Sequence, residues 1–508
     1  MTLETATAAR KRSTGVEDGR ASIRAIAILL GILQLLIGGL WSGTPSYWAD
    51  EAATLSAAGR AFPEMLRLLS GTDAVHGAYY GIQGVWLSLV GTGAFPARLT
   101  SVAAVAMTVS GVVLLGARLA GRRAGAYAGV AALFLPGLAW TGLELRSYSF
   151  SAMLAVATLL MLEAALRRGG TARWVGYAMA LTMSVWVFVF AVLLVLPAAA
   201  LARSRKAGAA WWWSTGAAAV ASLPIVAVTS QQTSQVTWIG NDPRQLMESM
   251  FVGQYFFGQR SNGASESWFA HAAVALALLT LAVLCWFIHR AIQDRRSEQV
   301  LLVAAWVAAP TLILVGVTLL GKPLYVERYL TFTAPGLCLW VGLALAAMPK
   351  RAGLAALTAF CLLATPVLVL QKTQDAKRDN YEAIARFVDF EKEPGAAVIH
   401  ATIQSKGVGI AYPDQFAGLE DVAQAEGPVE SAEFWGRNMP PDVLPVDELA
   451  GRQVFVLTQT LYPHDHPLMA DPYRLLKADP YAAQLLDAGC RLDGEPFVNT
   501  YIVYVLDC

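Results

Sequence analysis

The sequence is poor in charge. Asp, Glu, Lys and Arg make up 15% of its 508 residues, against roughly 25% in soluble domains. The net charge of +1 gives no sign of nucleic-acid binding. Only five cysteines are present, and no Cys/His spacing suggests a zinc site. Cys285, Cys338 and Cys361 lie in apolar runs and read as small packing residues. There is no Gly-rich phosphate loop and no nucleophile elbow in the polar C-terminal part, and no internal repeat. The first apolar run, Ile23–Trp41, lacks a small-residue cleavage site and is followed by more such runs, so it is not read as a secretory signal.

What is present is hydrophobicity: 56% of the residues, gathered in runs near twenty long. A run of that length spans a bilayer, so the expected class is a polytopic α-helical membrane protein. Residues 1–22, with Arg10, Lys11, Arg12 and Arg20, read as a cytoplasmic tail by the positive-inside rule. About eleven spans follow within 23–370. They are expected at 23–42, 97–117, 124–141, 149–166, two short ones within 174–202, then 208–228, 268–288, 300–320, 330–348 and 352–370. With this count the basic clusters, such as Arg118–Arg122–Arg123 and Arg167–Arg168–Arg173, fall on one side. Residues 76–91 are apolar but short and carry Gln83; counting them as a span would put the first of those clusters outside. They are therefore read as a juxtamembrane helix inside a first outer loop, 43–96. Residues 371–508 turn polar and read as an extracytoplasmic α/β domain, with a helix over Tyr381–Phe390 and strands at Ala396–His400, Gln453–Thr458 and Thr500–Leu506. Cys490 and Cys508 bracket the last of these and face an oxidising compartment by this topology, which makes them a candidate disulfide.

The topology gathers charged groups on the outer face, beside the spans: Asp50, Glu51, His76, Glu144, Arg146, Lys322, Glu327 and Arg328. Charge at the edge of a membrane is costly and usually faces a cavity or a partner. Carboxylates with cations suit a transfer from a lipid phosphate: Arg or Lys grips the phosphate, and a carboxylate takes the proton of the incoming hydroxyl. Read singly, each has a plainer explanation. Asp50 and Glu51 could be solvated, His76, Glu144 and Arg146 interfacial, and Lys322 and Arg328 snorkelling anchors. Their conjunction on one face carries the functional reading.

Five stretches in order, Trp48-Ala49-Asp50-Glu51-Ala52, His76-Gly77-Ala78-Tyr79-Tyr80, Pro96-Ala97-Arg98-Leu99, Glu144-Leu145-Arg146-Ser147-Tyr148 and Glu327-Arg328-Tyr329-Leu330, resemble the GT-C membrane glycosyltransferases that use polyprenyl-phosphate sugars. The family 39 protein mannosyltransferases and lipid A aminoarabinose transferase are similar. The resemblance covers residues 23–370, and the tail is similar to the outer domains some of these enzymes carry. Two stretches depart from the family: His-Pro-Pro is common where this chain has His76-Gly77-Ala78, and Glu-Ala-Arg where it has Glu144-Leu145-Arg146.

The resemblance implies an inverting glycosyltransferase. It would move a sugar, with mannose or arabinofuranose expected, from a polyprenyl-phosphate donor to a hydroxyl of a glycan, lipoglycan or protein. Asp50 is then the expected base, with Glu51 orienting it or exchanging roles with it. Arg146, Lys322 and Arg328 are candidates for the donor phosphate. His76, Tyr80, Glu144, Tyr148, Tyr325 and Glu327 would line the cavity, and the donor chain would lie beside the loop 229–267. No cofactor is obligatory, because polyprenyl phosphate is already a good leaving group; a divalent cation at Asp50 and Glu51 stays open. The Ala- and Arg-rich composition suggests a high-GC actinobacterium. A lipid-linked sugar flippase is the alternative, but it needs polar residues at mid-depth, and the span interiors are Ala, Leu and Val.

Overall fold

The computed structural model describes residues 22–236, 238–240, 242–257, 268–294, 297–377, 379–459, 472–499 and 501–508. The expected tail over 1–22 lies outside the described residues except for Ser22. Packing divides the chain into two compact units: 1–42, 73–79 and 98–372 form the first, and 43–72, 80–97 and 373–508 the second.

The first unit is helical. Among the described residues, eight helices are long and apolar enough to cross a membrane: Ser22–Gly39, Ala94–Ala120, Tyr148–Arg168, Ala209–Gln231, Trp268–Gln293, Ser297–Leu319, Glu327–Ala347 and Lys350–Leu370. The other three expected crossings are built from shorter pieces. At 124–141 the chain forms Arg122–Phe134 and Pro136–Thr141, parted at Leu135, which is extended (φ −75°, ψ 112°). Proline disfavours the helical region for the residue before it. Over 174–202 the helix Thr171–Val187 ends at an extended Phe188, and a 3₁₀ stretch, Val189–Leu194, leads into Val195–Ser204.

Burial separates inner helices from lipid-facing ones. Of the apolar stretch in Glu327–Ala347, 89% is buried, against 11% in Ser22–Gly39. The helix Ala334–Ala347 packs on Arg122–Phe134 because both carry small residues. A Cβ on Gly342 would lie 2.5 Å from the Ala128 Cβ and 2.6 Å from the Ala124 carbonyl oxygen, and such close backbone approach is how membrane helices gain packing energy. The expected outer loop 229–267 is not irregular where described. It holds a 3₁₀ turn at Thr233–Val236, a short helix at Pro243–Glu248 and a π-helical stretch at Ser249–Phe257.

The second unit joins the tail to most of the first outer loop, which the sequence reading had placed with the spans. Hydrogen bonds explain the grouping. The Ser46 amide donates to the Gln374 carbonyl (3.2 Å) and the Ser46 hydroxyl accepts from the Glu382 amide (2.9 Å). The Tyr47 amide donates to the Tyr412 hydroxyl at 3.0 Å, and the Ser56 hydroxyl to the Phe434 carbonyl at 2.7 Å. The strands are β1 (Ala397–His400), β2 (Glu420–Asp421), β3 (Gln424–Glu426), β4 (Arg437–Asn438), β5 (Gln453–Gln459), β6 (Arg491–Val498) and β7 (Tyr501–Asp507). The main sheet runs β2-β1-β5-β7-β6, with β1 parallel to both β2 and β5 and the remaining pairs antiparallel. The helix Tyr381–Glu391 and strands β1, β5 and β7 fall where the sequence placed them, though Thr500 lies outside the described residues. β6 pairs with β7 so that Arg491 faces Asp507, and Cys490 and Cys508, one step beyond, are disulfide-bonded.

Candidate active site

In the second unit, Trp48 is the extended N-cap of the helix Ala49–Ala58, and Asp50 and Glu51 occupy its first turn. Unpaired amides at a helix start favour negative charge there. The two carboxylates differ sharply in setting. Glu51 is fully buried and takes the ammonium of Lys377, itself almost fully buried. Asp50 is only half-buried. Asp379 and Tyr381 are buried nearby in sequence, and the Tyr381 hydroxyl lies 3.4 Å from that of Tyr501. Burial first, then Tyr501, Asp379 and Asp50, hold the Tyr381 phenol well above its ordinary pKa, so it stays protonated. Tyr80 is buried in this unit edge-on to Phe434, 6.5 Å between centroids.

The sequence reading did not single out Lys377, Asp379, Tyr381 or Tyr501. The signal was there: Lys377-Arg378-Asp379-Asn380-Tyr381 is a polar cluster just after the last span, on the same expected face as Asp50.

In the first unit, the turn Glu144–Ser147 joins two helices and is wholly buried. Segment 73–76 packs on it. Arg146 is ion-paired with Asp73 at 3.5 Å, and His76 Nδ1 lies 2.7 Å from the Ser147 hydroxyl. The His76 ring stacks on Phe188 (5.4 Å) and meets Tyr148 edge-on (5.9 Å). Tyr148 also accepts a hydrogen bond from Arg328 Nε at 3.2 Å. Arg328 further lies over the rings of Trp238 (5.4 Å) and Tyr329 (5.9 Å). Glu144, Tyr148, Gln254, Glu327 and Arg328 line one narrow cleft. Tyr325 is buried and donates to Gln254 Oε1 at 3.1 Å; burial, then Glu327 and Tyr255, push its phenol pKa up. Lys322 is exposed on the loop after Ser297–Leu319.

The first unit thus brings together Glu144, Tyr148, Glu327 and Arg328, with Arg146 on the same turn as Glu144 and His76 packed against it. Asp50, Glu51 and Tyr80 belong to the second unit, as do Cys490 and Cys508. The Glu51 carboxylate holds the Lys377 ammonium, and Asp50 is the carboxylate beside it. Among the described residues, no three His, Cys, Asp or Glu side chains gather as a metal site.

No protein-family model matches the sequence, and no curated protein matches it either. Solved structures do. The chain is similar to ArnT from Cupriavidus metallidurans in the apo state, with 13% identity, a TM-score of 0.58, and coverage of 94% of this chain and 97% of that one. It is similar to the same protein bound to undecaprenyl phosphate, with 14% identity, a TM-score of 0.57 and the same coverage. A lower likeness is to the Archaeoglobus fulgidus oligosaccharyltransferase, with 11% identity, a TM-score of 0.45, and coverage of 86% and 69%. The chain therefore has the GT-C fold and is a multi-pass membrane protein with a C-terminal α/β part.

Proposed function

We propose that the chain is an inverting glycosyltransferase. It moves a sugar, mannose or arabinofuranose, from a polyprenyl-phosphate donor to a hydroxyl of an extracytoplasmic glycan, lipoglycan or protein. The observation that carries the reading is the division of labour at the start of the helix Ala49–Ala58. Glu51 is sealed against Lys377, while Asp50 is half-buried, with its Oδ2 out of solvent. Asp50 takes the proton of the acceptor hydroxyl, the acceptor oxygen bonds to the anomeric carbon from the face opposite the phosphate, and the polyprenyl phosphate leaves with the bonding electrons. Glu51 is a positioning residue. Arg328 and Arg146 are assigned to the donor phosphate, since a guanidinium can grip it in bidentate fashion. The ArnT structure described with undecaprenyl phosphate supports a donor of this kind.

A radiolabelled-donor assay tests the assignment. Asp50→Asn keeps the shape of the side chain but cannot take a proton at neutral pH. Removal of a general base costs about 10²–10⁴-fold in rate, so turnover should fall by that much while donor binding persists. Glu51→Gln should cost less. Near-wild-type turnover by Asp50→Asn would refute the assignment, and inactivity of Glu51→Gln alone would move the base to Glu51.

A further inference from the structure

In the second unit, the parallel strands β1 and β2 end at His400 and Asp421. Ligands of α/β sheets bind in the crevice outside the carboxyl ends of parallel strands. A cleft of about 250 Å³ opens there, walled by His400, Lys406, Phe416, Asp421, Gln424 and Trp435. It lies apart in sequence from every residue assigned above to transfer.

The chemistry of the cleft is specific. Lys406 is buried and ion-paired with Asp421 at 2.8 Å, and it also donates to Gln424 Oε1 at 3.3 Å. Among the described lining residues the one cation is thus already matched by a carboxylate, which disfavours an anionic ligand. His400 is buried, and its Nδ1 lies 2.8 Å from the Ser405 hydroxyl. That hydroxyl gives its single proton to the Thr402 carbonyl at 2.7 Å, so Nδ1 carries the ring proton and Nε2 is an acceptor. Burial pushes the imidazole pKa down to about 4, so the ring is neutral. Phe416 stacks beside His400, 6.1 Å between centroids, and Trp435 adds a second aromatic wall. The cleft therefore offers apolar ring faces and a ring of polar groups without net charge.

We infer that this cleft binds a neutral saccharide ring of a glycan, its C–H face against Phe416 and Trp435 and its hydroxyls on Asp421, Gln424, Lys406 and His400. Aromatic walls with a few convergent polar groups are how pockets take amphipathic small ligands. A sugar ring has alternating donors and acceptors on its edge and an apolar face. Phosphate would meet the Asp421 carboxylate beside the Lys406 ammonium.

The test uses the full chain in a detergent without sugar headgroups, with no donor present, so it does not depend on the transferase reading. Methyl α-mannoside and methyl α-arabinofuranoside are followed by saturation-transfer difference NMR against wild type, Trp435→Ala, Gln424→Ala and Asp50→Asn, each checked for wild-type-like melting. At least one glycoside should give ring-proton signals with wild type and Asp50→Asn. The signals should be lost in Trp435→Ala or, where that variant does not fold, in Gln424→Ala, whose side chain is exposed. Inorganic phosphate should not displace the glycoside. Absence of signal from both glycosides, signal retained in every folded cleft variant, or displacement by phosphate would each overturn the inference.

Discussion

Substituting Lys377 by Met removes one charge from a pair in which both side chains are almost fully out of solvent, with 1% and 0% exposure. The Glu51 carboxylate would then stay buried without its cation. Breaking such a pair from one side costs about 3–5 kcal/mol. A unit of this size loses about 2–4 °C of melting temperature per kcal/mol, so a drop of roughly 6–20 °C is expected. Removing both charges is a different perturbation: the double variant Glu51→Gln, Lys377→Met leaves two neutral side chains of similar volume and should recover most of the loss. The assay is thermal unfolding of the detergent-solubilised chain for both single variants and the double, read as a double-mutant cycle, with transfer measured in parallel. If Asp50 alone is the base, the double variant should lose less than the roughly 10²–10⁴-fold expected on removing a base. Additive costs in the cycle, or a Lys377→Met melting point equal to wild type, would show that the pair does not hold the acidic turn.

Four further outcomes are expected. Arg328→Ala should weaken donor binding strongly and Arg328→Lys should restore it only in part, because the bidentate fork is lost; unchanged affinity in Arg328→Ala and Arg146→Ala would remove both from the phosphate site. Burial lowers the His400 pKa to about 4 from an ordinary 6.5, so between these values the unfolded chain binds the extra proton. Stability is therefore full above pH 6.5 and falls as pH drops towards 4, by on the order of 3 kcal/mol; urea titrations of wild type and His400→Gln should differ in this window and converge if the reasoning fails. A reporter fused after Asp375 should be active only outside the cytoplasm, and Cys508→Ser should cost about 3 kcal/mol for a loop closed across a separation of 18 residues. Cytoplasmic activity of the fusion would overturn the orientation.

The spans were legible because bilayer thickness sets a length that hydrophobic runs must meet, and all eight long helices coincide with expected ones. Breaks within spans were harder to read. Pro136 marks the interruption at Leu135 locally, whereas nothing near Phe188 except its aromatic neighbours announces the extended residue that ends its helix. Strand β6 escaped because Gly494, Glu495 and Pro496 interrupt it; it survives as an edge strand, where Pro is tolerated, with an irregular register between Asp493 and Phe497. Asp50 and Glu51 stood out as adjacent carboxylates after an apolar run, yet their different burial did not. That difference depends on Lys377, more than 300 residues away, and pairings at such separation leave no local pattern.

Gly407 sits next to Lys406 in a short helix, and a Cβ there would lie 3.1 Å from the Trp435 ring, 3.2 Å from the Tyr381 ring and 3.3 Å from the Ala52 Cβ. One wall of the saccharide cleft, the buried phenol and the acidic helix therefore meet at a single backbone position. A glycan bound through one ring in the cleft would be a tethered reactant rather than a freely diffusing one. Its other hydroxyls would be presented at an effective concentration set by the length of the glycan, not by its abundance in the envelope. Chains too short to span from cleft to Asp50 would gain nothing from the tether, so under the proposed function the length of the glycan would decide how well it reacts.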